Sequence, residues 1–269
     1  MENPNKRNEN IIPERMLRKV EPFNIGSAEV GQRVLVQSVY YSRSRRKLYC
    51  KIDNKGTMCF IKEENILYPY KANHEEVSPG ISYTVGRQIV AEIEKIHSDD
   101  SVELNRAKVM KETIQELSER VGDIVNATIE SIAPYGLFID IGNGVQSLLN
   151  LSEISTSRYH DLTKTKDFNV GQEIKVVIKA FDPTTKRFIV SRKDAYERKE
   201  FDCQDIIKVR ICSPVNEEGF FVEADPATSG IMDLPKDYYG PKLKEGDIVV
   251  VMIKKHNENG FKSAFLRAL

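Results

Sequence analysis

Tyr135 and Phe138 are the residues whose types and spacing suggest chemistry, and that chemistry is stacking against a flat ligand. Phe138 lies in the segment Gly136–Leu137–Phe138–Ile139–Asp140–Ile141, with Tyr135 just before it. Period-two alternation sends Leu137, Ile139 and Ile141 to one face, which should be the core. Phe138 then falls on the opposite face beside Asp140, where water is expected. A phenyl ring on the wet side of a small sheet loses hydrophobic stabilisation unless something covers it. A nucleobase suits the position, because every base has a π-face and aromatic stacking contributes about 1–3 kcal/mol per base. The competing use of the two rings is contact with a neighbouring part of the chain. The closing strand, Arg187–Phe188–Ile189–Val190–Ser191, should turn Phe188 and Val190 inward and Arg187, Ile189 and Ser191 outward. An outward Arg187 can pair with a phosphate or lay its planar guanidinium on a base. Asp182 can orient Arg187 or accept from a base edge.

Other chemistry finds little support. The sequence offers no Ser-His-Asp or Cys-His constellation, no Gly-Lys phosphate loop and no metal cluster, so a non-enzyme without a cofactor is expected. The paired carboxylates Asp99–Asp100 and Glu217–Glu218 sit in polar stretches and read as solvated turns. Cys50, Cys59, Cys203 and Cys212 form no CxxC pair and are expected to be reduced, half-buried strand residues. Lysine plus arginine numbers 40 and aspartate plus glutamate 40, a net charge of zero. That argues against a simple polycation and leaves room for a local basic patch. No apolar run approaches the roughly 20 residues of a membrane helix, and the first residues lack the apolar core of a signal peptide. A cytoplasmic protein with no membrane partner is the expectation.

Strands must position the two rings. Residues 1–25, with prolines at positions 4, 13 and 22, read as a flexible arm. Residues 26–106 open on VGQRVLVQSVYY and close on VGRQIVAEIEKIHSDDSVELNR, with KLYCKID and GTMCFI between them. Arg43, Arg45, Arg46 and Lys47 fall at a hairpin tip, which is either a solvated turn or a clamp for phosphates. Residues 107–119 change period, and Val109, Met110, Thr113, Ile114 and Leu117 recur at helical spacing. In 120–195, Gly142–Asn143–Gly144 and Asp182–Pro183–Thr184–Thr185–Lys186 are hairpin turns. Leu151–Ser152–Glu153–Ile154 should form a helical turn. In 196–269 the same order recurs, but Glu217, Glu218, Glu223, Asp225, Asp233 and Asp237 crowd the part that would face a ligand. Three copies of one five-stranded unit predict an all-β protein: tandem OB-type barrels joined by short helices.

Residues 120–195 resemble the S-one RNA-binding domain family. The likeness rests on VGDIV, the aromatic-Gly-x-Phe-Ile run at 135–139, LLNLSEI, VGQEIKVVI and the Asp182…Arg187–Phe188–Ile189–Val190–Ser191 ending. The outer copies are similar mainly in strand pattern. The resemblance implies a non-catalytic protein that holds single-stranded RNA, messenger RNA in the first instance, on one barrel face in translation or mRNA handling. The family's aromatic positions fall on Tyr135 and Phe138, its usual histidine on Asn150, and its closing aspartate and arginine on Asp182 and Arg187. Asn150 keeps hydrogen bonding but not a histidine's stacking or charge. Arg158 and Tyr159 could extend the surface, although local packing is favoured for both. In 196–269 the first aromatic position falls on Glu218, and a carboxylate there should repel phosphate, so that copy should contact protein or its neighbour. The alternative from another class is a scaffold whose degenerate barrels dock on a ribosome, an RNA polymerase or a nuclease.

Overall fold

The computed structural model describes residues 28–52, 57–69, 81, 84–157, 159, 161–216, 219–235, 238–240 and 242–269. The expected N-terminal arm, residues 70–80, Arg158, Glu217, Glu218 and Asp237 lie outside the described residues.

The strands form three five-stranded sheets. The first is a closed barrel of β1 (Arg33–Ser42), β2 (Lys47–Lys51), β3 (Met58–Lys62), β4 (Gln88–Ile96) and β5 (Val102–Asn105). Its order is β1-β2-β3-β5-β4, with β3 and β5 parallel and the other described pairs antiparallel. Alternation fills it with Val34, Val36, Leu48, Cys50, Cys59, Ile61, Ile93 and Leu104. Next comes helix α1 (Arg106–Ser118), capped by the Asn105 side chain, which accepts from the Lys108 amide. Its buried stripe is Val109, Met110, Thr113, Ile114 and Leu117, as the spacing predicts. Lys108 pairs with Glu92 on β4, and Arg33 Nη2 lies 2.5 Å from Glu112 Oε2, fastening the helix to the first barrel.

The middle sheet contains β6 (Ile124–Ala133), β7 (Gly136–Asp140), β8 (Gln146–Asn150), β9 (Glu173–Asp182) and β10 (Arg187–Ser191), in the order β10-β9-β6-β7-β8. Its two ends meet where Ser147 Oγ donates to the Phe188 carbonyl at 2.9 Å. The third is again a closed barrel: β11 (Ile206–Asn216), β12 (Gly219–Asp225), β13 (Thr228–Asp233), β14 (Ile248–Asn257) and β15 (Gly260–Ala268). Its core is built on Val209, Ile211, Val222, Met232, Val251, Ile253 and Phe261.

The chain groups into two compact units. One holds the first barrel, α1 and the Ile141–Val145 loop; the other holds the rest of the middle barrel and the third barrel. The first join is helical, as expected. The second is not an α-helix: a 3-10 turn, Lys193–Ala195, is followed by irregular chain. Three cysteines are buried rather than half-buried, Cys203 is exposed in a turn, and all four are free.

Candidate nucleic-acid interface

The middle barrel presents its candidate site through three local devices. First, a β-bulge between Ile129 and Ser131 resets the outward face of β6, so that Ser131 stands opposite Phe138. Second, Gly136 begins β7 opposite Asn150 and lies close against β8. A Cβ at Gly136 would sit 2.6 Å from the Leu149 carbonyl oxygen, a backbone atom that cannot swing away. Gly136→Ala should therefore destabilise the protein by about 1–3 kcal/mol through overpacking; urea unfolding of wild type and variant measures this. Third, the β9–β10 hairpin is closed by Asp182, whose carboxylate accepts from the Thr184 amide at 2.8 Å and the Thr185 hydroxyl at 2.6 Å.

Tyr135 is 57% exposed. Its carbonyl accepts from the Leu151 amide at 2.9 Å, which ties the turn to the 3-10 turn Leu151–Glu153 and leaves the ring in solvent. Phe138 is half-buried, with Leu137 and Ile139 fully buried on the opposite face, as the alternation requires. The two rings meet edge to face, centroids 6.3 Å apart and planes at 81°. One ring therefore braces the other while a face stays open to a third flat group. Asn150 is exposed at the end of β8, and its amide makes no capping hydrogen bond. Arg187 and Ile189 flank the inward Phe188 on β10, both exposed on the outer side where β10 meets β8.

Several expectations need correction. Asp182 does not orient Arg187. The two are opposite in register, but the carboxylate is occupied by its own turn. The Thr185 hydroxyl and the Thr184 amide hold that carboxyl below the usual carboxylate range. Ser191 is buried, not outward, because the 3-10 turn after β10 covers the strand end and the Asp194 amide donates to its hydroxyl. Tyr159, by contrast, takes the packing role favoured for it: it is buried against Phe168, and its hydroxyl donates to Asp167 at 3.2 Å and accepts from Arg210 at 2.6 Å. Burial pushes its phenol pKa up, and its ring has no open face for a base.

In the first barrel, Arg43, Arg45, Arg46 and Lys47 do lie at the β1–β2 hairpin tip. Arg46 is already engaged, donating through Nε and Nη2 to Glu63 at 3.0 and 3.2 Å. In the third barrel, Glu223 and Asp225 are drawn into ion pairs with Arg210 and Lys199 instead of crowding an open face. Asp233 remains exposed, 3.6 Å from Lys254 Nζ.

The sequence has counterparts among known proteins. Residues 118–193 match the S1 RNA binding domain. That stretch is the middle barrel with its flanks. Small ribosomal subunit protein bS1 of Staphylococcus aureus (strain COL) is 30% identical over 164 residues, 55% of this chain and 40% of that protein. The bS1 protein of Staphylococcus haemolyticus (strain JCSC1435) is 29% identical over 171 residues, 59% of this chain and 42% of that protein. The chain thus spans about two fifths of the length of these relatives. Among solved structures, GSP13 from Bacillus subtilis is 25% identical over 30% of this chain and 64% of its own, with a TM-score of 0.25.

Proposed function

We propose that the middle S1-type barrel is a non-catalytic site for single-stranded RNA and that the chain acts in translation or mRNA handling. The observation that carries this reading is Tyr135, more than half exposed and braced edge to face by Phe138 on the outer side of the barrel. A base stacks on this pair, Arg187 meets a phosphate or stacks beside it, and the Asn150 amide reaches a base edge. Asp182 acts indirectly by fixing the hairpin that presents Arg187. The S1 match over this barrel and the bS1 relatives support the assignment. Among the described residues no helix is long and apolar enough to cross a membrane.

Fluorescence anisotropy with an unstructured RNA and a duplex of equal length tests the reading. Tight binding of the single strand and weak binding of the duplex are expected, since stacking needs unpaired bases. If the duplex binds as well as the single strand, base stacking is not the mode of recognition. Arg187→Gln should lower affinity and flatten the dependence of log affinity on log salt by about 0.7, the share of one phosphate on a single strand. An unchanged slope would leave Arg187 without a phosphate.

A further inference from the structure

The same register can be read across all three barrels. In each, the first strand carries a bulge just before the residue that faces the second strand: between Ser38 and Tyr40, Ile129 and Ser131, Ile211 and Ser213. The row that follows in register is Ser131–Phe138–Leu148 in the middle barrel and Ser213–Phe221–Ile231, with Ser213 buried, in the third. In the first barrel it is Tyr40–Tyr49–Phe60, aromatic on three adjacent strands. Tyr40 and Tyr49 are stacked, centroids 4.8 Å apart and planes within 14°. Phe60 stacks on His97 at 5.8 Å, and Lys47 Nζ lies 3.7 Å from the Phe60 centroid. Arg45 Nη1 donates to the Tyr49 hydroxyl at 3.2 Å. The row ends in Tyr40, which is 48% exposed.

Charge selects the occupant. Two acidic groups close to this row are already engaged: Glu63 by Arg46 and the Tyr41 hydroxyl, Glu103 by Lys62 at 2.7 Å and His97 at 3.2 Å. Arg43, Arg45 and Lys51 remain exposed on the same hairpin, with Lys47 beside them. Rings that offer a π-face, rimmed by cations with no carboxylate partner among the described residues, suit a ligand that alternates flat bases with anionic linkages.

We infer that the outer face of the first barrel, built on Tyr40, Tyr49 and Phe60 with Arg43, Arg45 and Lys47, is a second site for single-stranded RNA. A base extends the stack at Tyr40, and the hairpin cations meet the adjoining phosphates. The ligand class is that of the proposed middle site, but no residue is shared, so the two readings fail separately.

The test uses the full chain, a short oligouridine and fluorescence anisotropy at low salt. In a Tyr135→Ala/Phe138→Ala background, residual binding should persist. Adding Tyr40→Ala should weaken it about tenfold or more, as the loss of one stacked base requires, and Tyr40→Phe should retain it. Circular dichroism confirms that each variant is folded. Residual binding that is indifferent to Tyr40→Ala, or its complete absence in the background variant, would overturn the inference. If the background substitutions change nothing while Tyr40→Ala weakens binding, the middle site fails and the first-barrel site stands.

Discussion

Replacing Tyr135 and Phe138 together by alanine should weaken binding of an unstructured RNA by about tenfold to a hundredfold and leave the protein folded. The magnitude follows from one base lost from the pair, about 1–3 kcal/mol, with about 1.4 kcal/mol for each factor of ten. The fold survives because neither ring is a core residue. Tyr135 is mostly in solvent, and Phe138 is only half-buried while Leu137, Ile139 and Leu149 fill the barrel behind it. The two rings touch, so their effects are coupled, and each single substitution should cost more than half of the double. Anisotropy titrations of the two single variants and the double variant, beside thermal melts, give the full cycle. Unchanged affinity in a folded double variant would mean that RNA, if bound, does not lie on these rings.

The middle site was legible because it depends on local signals. Alternation through Gly136–Asp140 placed Phe138 on the outer face, and the two hairpins announced themselves by Gly142–Asn143–Gly144 and by Asp182 before Thr184 and Thr185. Bulges give no such signal. Strict alternation from Val34, Val36 and Ser38 sends Tyr40 into the first barrel and Tyr41 out. The extra residue at Val39 reverses both: Tyr40 emerges, and Tyr41 packs against the core with its hydroxyl on Glu63. The place of Tyr40 in the aromatic row of the first barrel therefore could not be counted from the sequence, whereas Tyr49 and Phe60 follow unbroken alternation. Ser191 failed for a different reason, since its cover comes from a turn beyond the strand. Glu223 and Asp225 failed because their partners, Arg210 and Lys199, lie far away in the chain. Composition shows that such charges exist but not which ones meet.

Arg210→Met should destabilise the unit holding the middle and third barrels by about 3–5 kcal/mol, the usual loss when one partner of a buried ion pair is removed. Arg210, on β11, lies with Nη1 2.6 Å from Asp167 Oδ2 and also pairs through Nη2 with Glu223 on β12. The Asp167 and Glu223 side chains are 3% and 5% exposed, so water cannot take over the solvation that Arg210 supplies. The rest of the network does not substitute for it. The Tyr159 hydroxyl and Ser155 Oγ, 2.5 Å from Glu223 Oε2, offer neutral donors and no compensating charge. The deficit measures the two stranded carboxylates more than the net worth of the ion pairs. Replacing all three charges by apolar residues of similar volume (Arg210→Met, Asp167→Leu and Glu223→Met together) should therefore recover most of the loss. Urea unfolding of wild type, single and triple variants separates the cases. A triple variant no more stable than Arg210→Met would show that the paired charges hold Tyr159 and Asp167 against the third barrel by their own attraction. Recovery would show that the network chiefly selects this one arrangement of Ser155, Tyr159 and Asp167, the arrangement that withdraws Tyr159 from the proposed RNA-facing surface.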